Sequence, residues 1–326
     1  MRIGKSIIPW VIIVAALAIY PSVAENAYFT YILILILLYS AIGFYYNLLV
    51  GYLGIAWLAP MVPYALGGFS AGYMMIARVD PFLSIGVGII AGALTSFAFS
   101  LLSNRLRGLY MALYSFVFVL FFQQLIIRQD VPILFKLFFG GIGMSGVPDI
   151  TYGGFEWRLG DSVAYYYLSI VIVVISGIVL KKILGSKWGA AFKSIRDAEV
   201  YASTMGVSVL RMKVIAFLIS SAFIATVGAV LTLFYGAIAF TILDVSNMIL
   251  FLTFLVFGGL GTFFGPVVGA VILVPLNNYL TAYGAYRILL YGITILVVVL
   301  VAPTGIVGKL QEIVKRRTFP TARATD

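Results

Sequence analysis

Ten apolar stretches of about twenty residues recur along this 326-residue chain, separated by short connections that carry the charge. A hydrocarbon core about 30 Å thick is crossed by about 20 helical residues rising about 1.5 Å each. Few folds other than a bundle of membrane-crossing helices can use so many such stretches. Composition points the same way. Hydrophobic residues make up 63% and charged residues 10% of the chain, against roughly 45–50% and about 25% in soluble domains. The stretches run approximately Ile7 to Val23, Tyr28 to Val50, Tyr52 to Ala77, Phe82 to Ser103, Leu109 to Ile127, Val163 to Leu180, Val214 to Gly236, Leu243 to Phe257, Pro266 to Leu280 and Ile288 to Ala302. The expected fold is an all-α integral membrane protein of about ten transmembrane segments, some broken or re-entrant.

Charge assigns the sides, because cytoplasmic connections hold the excess of Lys and Arg. With the N-terminus inside, 16 of the 21 basic residues fall on the cytoplasmic face with four acids, and five fall outside with seven acids. The net charges are then +12 inside and −2 outside, so both termini are expected in the cytoplasm. Fusing Leu243 to Leu280 into one helix would export the basic tail. Gly258, Gly259, Gly261, Gly265 and Pro266 nevertheless make this region a candidate for a re-entrant or broken element. Arg2, Lys5 and the following apolar run, closed by Ser22-Val23-Ala24, also resemble a secretory signal. Residues 1–308 form the expected transmembrane domain, with a cytoplasmic loop at 181–213, an external loop at 128–162 and a basic cytoplasmic tail at 309–326.

The chemistry open to the chain is narrow. It has no Cys and no His, which excludes thiolate chemistry, disulfides and the common metal and nucleophilic constellations. No metal site and no bound cofactor are expected. No Asp or Glu falls in the interior of a proposed span, Asp244 standing at the outer edge of the eighth, so a proton relay lacks a carrier. The intramembrane polar groups are amides and hydroxyls, among them Asn47, Gln123, Gln124, Ser115, Ser220 and Ser221. These either line a passage or bond between helices. Gly68 and Gly72, Gly88 and Gly92, and the series Gly261, Gly265, Gly269 have the spacing that lets helix backbones approach closely. Gly54, Pro60, Pro63, Gly67 and Gly68 mark the third span as interrupted, and broken backbone at membrane depth must face protein or water. These residues, with Asn47 of the second span, are the candidate passage. Gly141 to Gly146 matches a dinucleotide glycine pattern but lies in an external loop without the strand-turn-helix context. No nucleotide is expected to bind this chain.

The loop from Lys181 to Lys213 reads as largely helical. Ala190, Ala191, Ile195, Ala198 and Ala202 give an apolar stripe, with Lys193, Arg196, Asp197 and Glu199 on other faces, and Gly206 stops the helix. Such a helix docks into a groove of a cytoplasmic partner or lies on anionic lipid. The segment Glu199 to Gly206, EVYASTMG, resembles the E-x-A-A-x-x-x-G coupling motif of LivM-type permeases of ATP-binding-cassette importers for branched-chain amino acids, departing from it at Tyr201. Arg105 to Leu113, Gly258 to Pro266, and Tyr291-Gly292 with Pro303 to Gly308 are similar to three further motifs of that family, in the same order. After Gly51-Tyr52-Leu53-Gly54 the chain departs from the family's polar Q-x-S-x-G-H-A pattern, with Ile55, Ala56, Trp57, Leu58, Ala59 and Pro60 in its place.

The resemblance implies a permease subunit, not an enzyme, in the cell membrane, moving branched-chain or other hydrophobic amino acids inward. It implies a second permease subunit, expected to be a different chain, two cytoplasmic ATPase subunits and an external solute-binding protein. It assigns Arg196, Glu199, Ala202 and Gly206 to ATPase coupling. The external loop is longer than a connector needs to be, and its acids Asp149 and Glu156 are candidates for contact with the binding protein. A folded lid over the permease is the other reading of that loop. A urea or short-amide permease of the same type is an alternative. A stand-alone secondary transporter or channel is the competing class, opposed by the lack of intramembrane acids.

Overall fold

The computed structural model describes residues 27–103, 106–128, 130, 143–148, 150–152, 155–157, 162–280 and 305–309, with a few further positions between 284 and 300. The first apolar stretch, most of the tenth, Asp149 and the tail beyond Lys309 lie outside the described residues. The chain is overwhelmingly helical. Helix α1 (Ala27–Asn47) runs into a π-helical turn (Leu48–Tyr52), and α2 (Met61–Ile76), α3 (Pro81–Leu102), α4 (Leu109–Ile127) and α5 (Ser162–Leu184) follow. The kinked α6 (Lys187–Thr204) precedes α7 (Val209–Tyr235), α8 (Val245–Gly258) and α9 (Gly265–Leu280). Two- and three-residue strands β1 (Met144–Ser145), β2 (Ile150–Tyr152), β3 (Phe155–Trp157) and β4 (Ala237–Ile238) and a 3-10 helical turn (Phe240–Leu243) are also present.

Among the described residues, five helices are long and apolar enough to cross a membrane: α1 with its π turn, α3, α4, α5 and α7. The 14-residue α8 and 16-residue α9 measure about 21 and 24 Å, short of a full crossing. They form a helical hairpin rather than one long helix, which is the broken arrangement that the glycines of 258–265 suggest. Helix α1 sits in the middle, contacting α5, α7 and α9, and from Ile34 to Asn47 only Tyr39 is not fully buried. Helices α3 and α4 turn large apolar side chains outward, including Leu94, Leu101, Leu113, Val117 and Phe121. Among apolar surroundings such a surface needs no cover.

The bundle has two distinct ends. At one, the Tyr31 and Tyr235 hydroxyls are 3.1 Å apart, Gln123 donates to Asp244 at 2.7 Å, and β1 pairs antiparallel with β4. At the other, α6 meets the π turn, the start of α7 and the α8–α9 turn. The basic Arg107, Arg196 and Lys213 all gather at the α6 end.

Packing of α2, α3 and α7 against one another depends on small residues. A Cβ on Gly88 would lie 2.5 Å from the Gly67 carbonyl oxygen, and one on Gly92 would strike Ala225 of α7. Gly228 of α7 likewise abuts the backbone of Tyr64. In the hairpin, Gly258 meets Gly265 and Gly269 meets Phe254. The glycine spacings therefore mark close backbone approach, as expected where no hydrophobic drive separates helix from lipid. Gly86, two residues from Gly88, has nothing within 4 Å of its Cβ position. Gly88→Ala is expected to destabilise the detergent-solubilised protein by about 1–3 kcal/mol through overpacking. Gly86→Ala should stabilise it by up to about 1 kcal/mol through reduced chain entropy. Thermal unfolding of both variants checks the pair.

Candidate functional site

Between α1 and α2 the chain leaves helical geometry within the bundle. Several of its backbone groups nevertheless find partners, as burial in a bundle requires. Leu53 N–H returns to the Leu48 carbonyl and Ile55 N–H to that of Leu49, both at 3.0 Å. Leu58 N–H donates to the Ser115 hydroxyl of α4 at 3.0 Å. The Gly51 carbonyl accepts from Arg196 Nη1 of α6 at 2.6 Å. Gly54, at φ +73°, makes the turn and lies against the stem of Arg196.

The prolines have a different place from the one the sequence suggested. Pro60 is the residue before α2 and Pro63 is its third, both where a helix has no N–H partner to lose. They start α2 rather than freeing carbonyls within a span. The break itself is the apolar stretch 53–59. Gly67 and Gly68 face α7, against Ala225, Thr232 and Gly228. Asn47 is fully buried. Its Nδ2 donates to the Thr262 carbonyl at 2.7 Å and its Oδ1 accepts from Gly261 N–H at 2.9 Å. The candidate passage residues therefore divide into an exposed Gly54 at the α6 end, an amide committed to the α8–α9 turn, and glycines engaged in packing.

The four coupling residues come together around α6. Ala198 adopts φ −158°, ψ 91° and divides the helix. A single apolar stripe does not run through it: Gly189, Phe192 and Ile195 are buried before the kink and Ala202 after it, while Ala190 and Ala198 are exposed. Anchors on either side of the kink pull to different elements. Arg196 reaches Gly51, and Glu199 pairs with Lys213 Nζ of α7 at 2.9 Å and with Arg107 Nη2 at 3.5 Å. Gly206, at φ +84°, closes the segment, with its N–H on the Ser203 carbonyl at 3.1 Å. A Cβ there would meet open space, so the backbone conformation is what favours glycine. Beyond the kink, Val200, Tyr201 and Met205 are 63%, 71% and 78% exposed.

A cavity of about 180 Å³ lies between these parts, lined by Gly54, Ile55, Arg107, Met111, Arg196 and Glu199 among others. Arg107 lies within the Arg105-to-Leu113 motif. Lys213 and Ser115 carry no local sequence signal, because only the packing of α6, α7 and α4 gives them partners. At the opposite end, Glu156 sits in β3 opposite Thr151 of β2. The loop is also tied down: β1 pairs with β4, and Val147 N–H donates to the Gly236 carbonyl at 3.2 Å.

The family model described as branched-chain amino acid transport system / permease component matches residues 28–301. The high-affinity branched-chain amino acid transport system permease protein LivM of Escherichia coli (strain K12) is 25% identical over 294 residues, covering 83% of this chain and 68% of that protein. LivM of Salmonella typhimurium is 25% identical over 292 residues with the same coverage. LivH of Salmonella typhimurium is 32% identical over 126 residues, covering 38% of this chain and 41% of that protein. No solved structure matches the chain.

Asn47 bridges two backbone groups of the α8–α9 turn. Asn47→Leu is expected to cost about 1–3 kcal/mol for each group left unpaired, read as a lowered unfolding midpoint. An unchanged midpoint would show that the α8–α9 turn is held without this amide.

Proposed function

The chain belongs to the family of permease components of branched-chain amino acid transport systems, and from that membership we propose how its two ends divide the work of import. It is a multi-pass membrane permease subunit of an ATP-binding-cassette importer. In our reading the α6 end faces the cytoplasm, as its basic residues favour, and the protein sits in the cell membrane with both termini inside. The solute is a branched-chain or other hydrophobic amino acid. Two ATPase subunits dock at α6, a second permease subunit of different sequence completes the membrane part, and an external binding protein delivers the solute. The ATPases hydrolyse the nucleotide, and this subunit needs no cofactor of its own.

One observation carries the coupling role: after Ala198, α6 and its C-cap expose Val200, Tyr201 and Met205, while Arg196 before the kink and Glu199 after it fasten α6 to the spanning bundle. An exposed apolar face supplies contact area for a partner, and polar anchors pass its displacement to the π turn and to α7. Import against a gradient requires such a mechanical link between nucleotide and membrane parts. The external loop, through Asp149 and Glu156, is the surface for the binding protein.

Tyr201→Glu and Met205→Glu test this reading, because both residues are too exposed for folding to depend on them. Each variant should insert at normal levels, co-purify poorly with the ATPase subunits, and lose about tenfold or more of ATP-driven leucine uptake in reconstituted vesicles. Normal co-purification and uptake in both would remove α6 from the coupling interface.

A further inference from the structure

One aromatic cluster stands at the broken segment. Trp57 lies edge-on to Tyr46 of α1 at 6.1 Å and to Phe217 of α7 at 5.5 Å, and Phe99 of α3 is 5.3 Å from Phe217. Trp57 and Tyr46 are 1% and 0% exposed. Yet Tyr46 Oη and Trp57 Nε1 make no hydrogen bond, and neither do the buried hydroxyls of Ser220 and Ser221. Those two serines follow Phe217 by three and four residues, which places them on its face of α7 one turn away. The buried hydroxyls of Ser176 and Tyr114 are also without partners, Tyr114 stacking on Phe99 of the same cluster, while others bond locally. Ser40, Ser169 and Thr232 donate to carbonyls of their own helices at 2.6–2.9 Å.

A buried polar atom without a partner costs about 1–3 kcal/mol, and here Tyr46 and Trp57 meet beside Phe217 with the two serines one turn along the same helix. We propose that Tyr46, Trp57, Ser220 and Ser221 form a membrane-depth binding site for the zwitterionic end of a small apolar amino acid. This rests on the importer reading of the chain. The indole N–H only donates, so it calls for an acceptor such as a carboxylate. Hydroxyls serve either charge, and aromatic faces attract an ammonium group.

The contrast between stability and transport tests the site. If the hydroxyls wait for a ligand, removing them relieves an uncompensated burial but impairs transport. Ser220→Ala/Ser221→Ala and Tyr46→Phe should each raise the unfolding midpoint by about 2–4 °C while ATP-driven leucine uptake falls about tenfold. The lack of native cysteine adds a direct probe. In vesicles holding the complete complex, the thiol of Ser221→Cys should react with a small water-soluble maleimide, and leucine should slow that reaction several-fold. A raised midpoint with unchanged uptake would reduce the cluster to incidental burial. A lowered midpoint would mean that the hydroxyls bond within the protein. Labelling that leucine does not slow would assign the site to water alone, and each of these three results overturns the proposal. An unaltered complex that imports nothing would instead defeat the importer reading, and leucine protection and the unfolding shift would still judge the site.

Discussion

Backbone polar groups cannot be left unpaired in hydrocarbon, where each orphan costs several kcal/mol. In this protein that constraint bears hardest on residues 48–60, where α1 stops before α2 begins. The chain meets it with bonds from three directions: π-type returns within the turn, the Ser115 hydroxyl from α4, and the Arg196 guanidinium from α6. Asn47 performs the same service for the α8–α9 turn next to it. Elements distant in sequence are therefore tied to the break because the break needs their donors and acceptors. The α6 segment is attached to the membrane bundle by the same requirement.

Two kinds of contact divide the molecule. Helices α2, α3 and α7 touch backbone to backbone through Gly67, Gly88, Gly92 and Gly228, a fit that tolerates little change because packed interiors resist deformation. The junction of α6, the π turn and the α8–α9 turn is instead held by a few directional bonds from Arg196, Glu199 and Asn47. Such bonds can be exchanged for others at modest net cost. A rigid block beside an exchangeable junction is the arrangement a bistable transporter requires. The unpartnered hydroxyls and indole at Trp57 stand where the two meet. Unsatisfied polar groups weaken the resting state, and proteins keep such weaknesses mainly where function uses them.

The sequence determined the class of fold because hydrophobic length and the distribution of charge act locally. Apolar stretches near the membrane thickness, basic connections on alternate sides, and glycines four apart are readable without knowing any neighbour. The approximate bounds of α1, α3, α4, α5 and α7 follow from that logic, and so do the glycine contacts of α2 and α3 and the turn at Gly206. The candidate coupling residues Arg196, Glu199 and Ala202 were singled out by motif resemblance. The kink between Arg196 and Glu199 was not, since Ala198 is an ordinary helix former and only anchors on two different elements displace it.

Tertiary structure decided what each polar group in the membrane does. Asn47 and Ser115 look alike in sequence as intramembrane polar residues, as do Ser220 and Ser221. Packing commits Asn47 to the 261–262 backbone and Ser115 to Leu58, and leaves the two serines of α7 without partners. Pro60 and Pro63 read as helix breakers in sequence, but where α2 begins makes them helix starters. Hydrophobicity and charge are properties of a segment and its solvent, so a sequence can declare them. A hydrogen bond is a relation between two places, and the fold alone brings those places together.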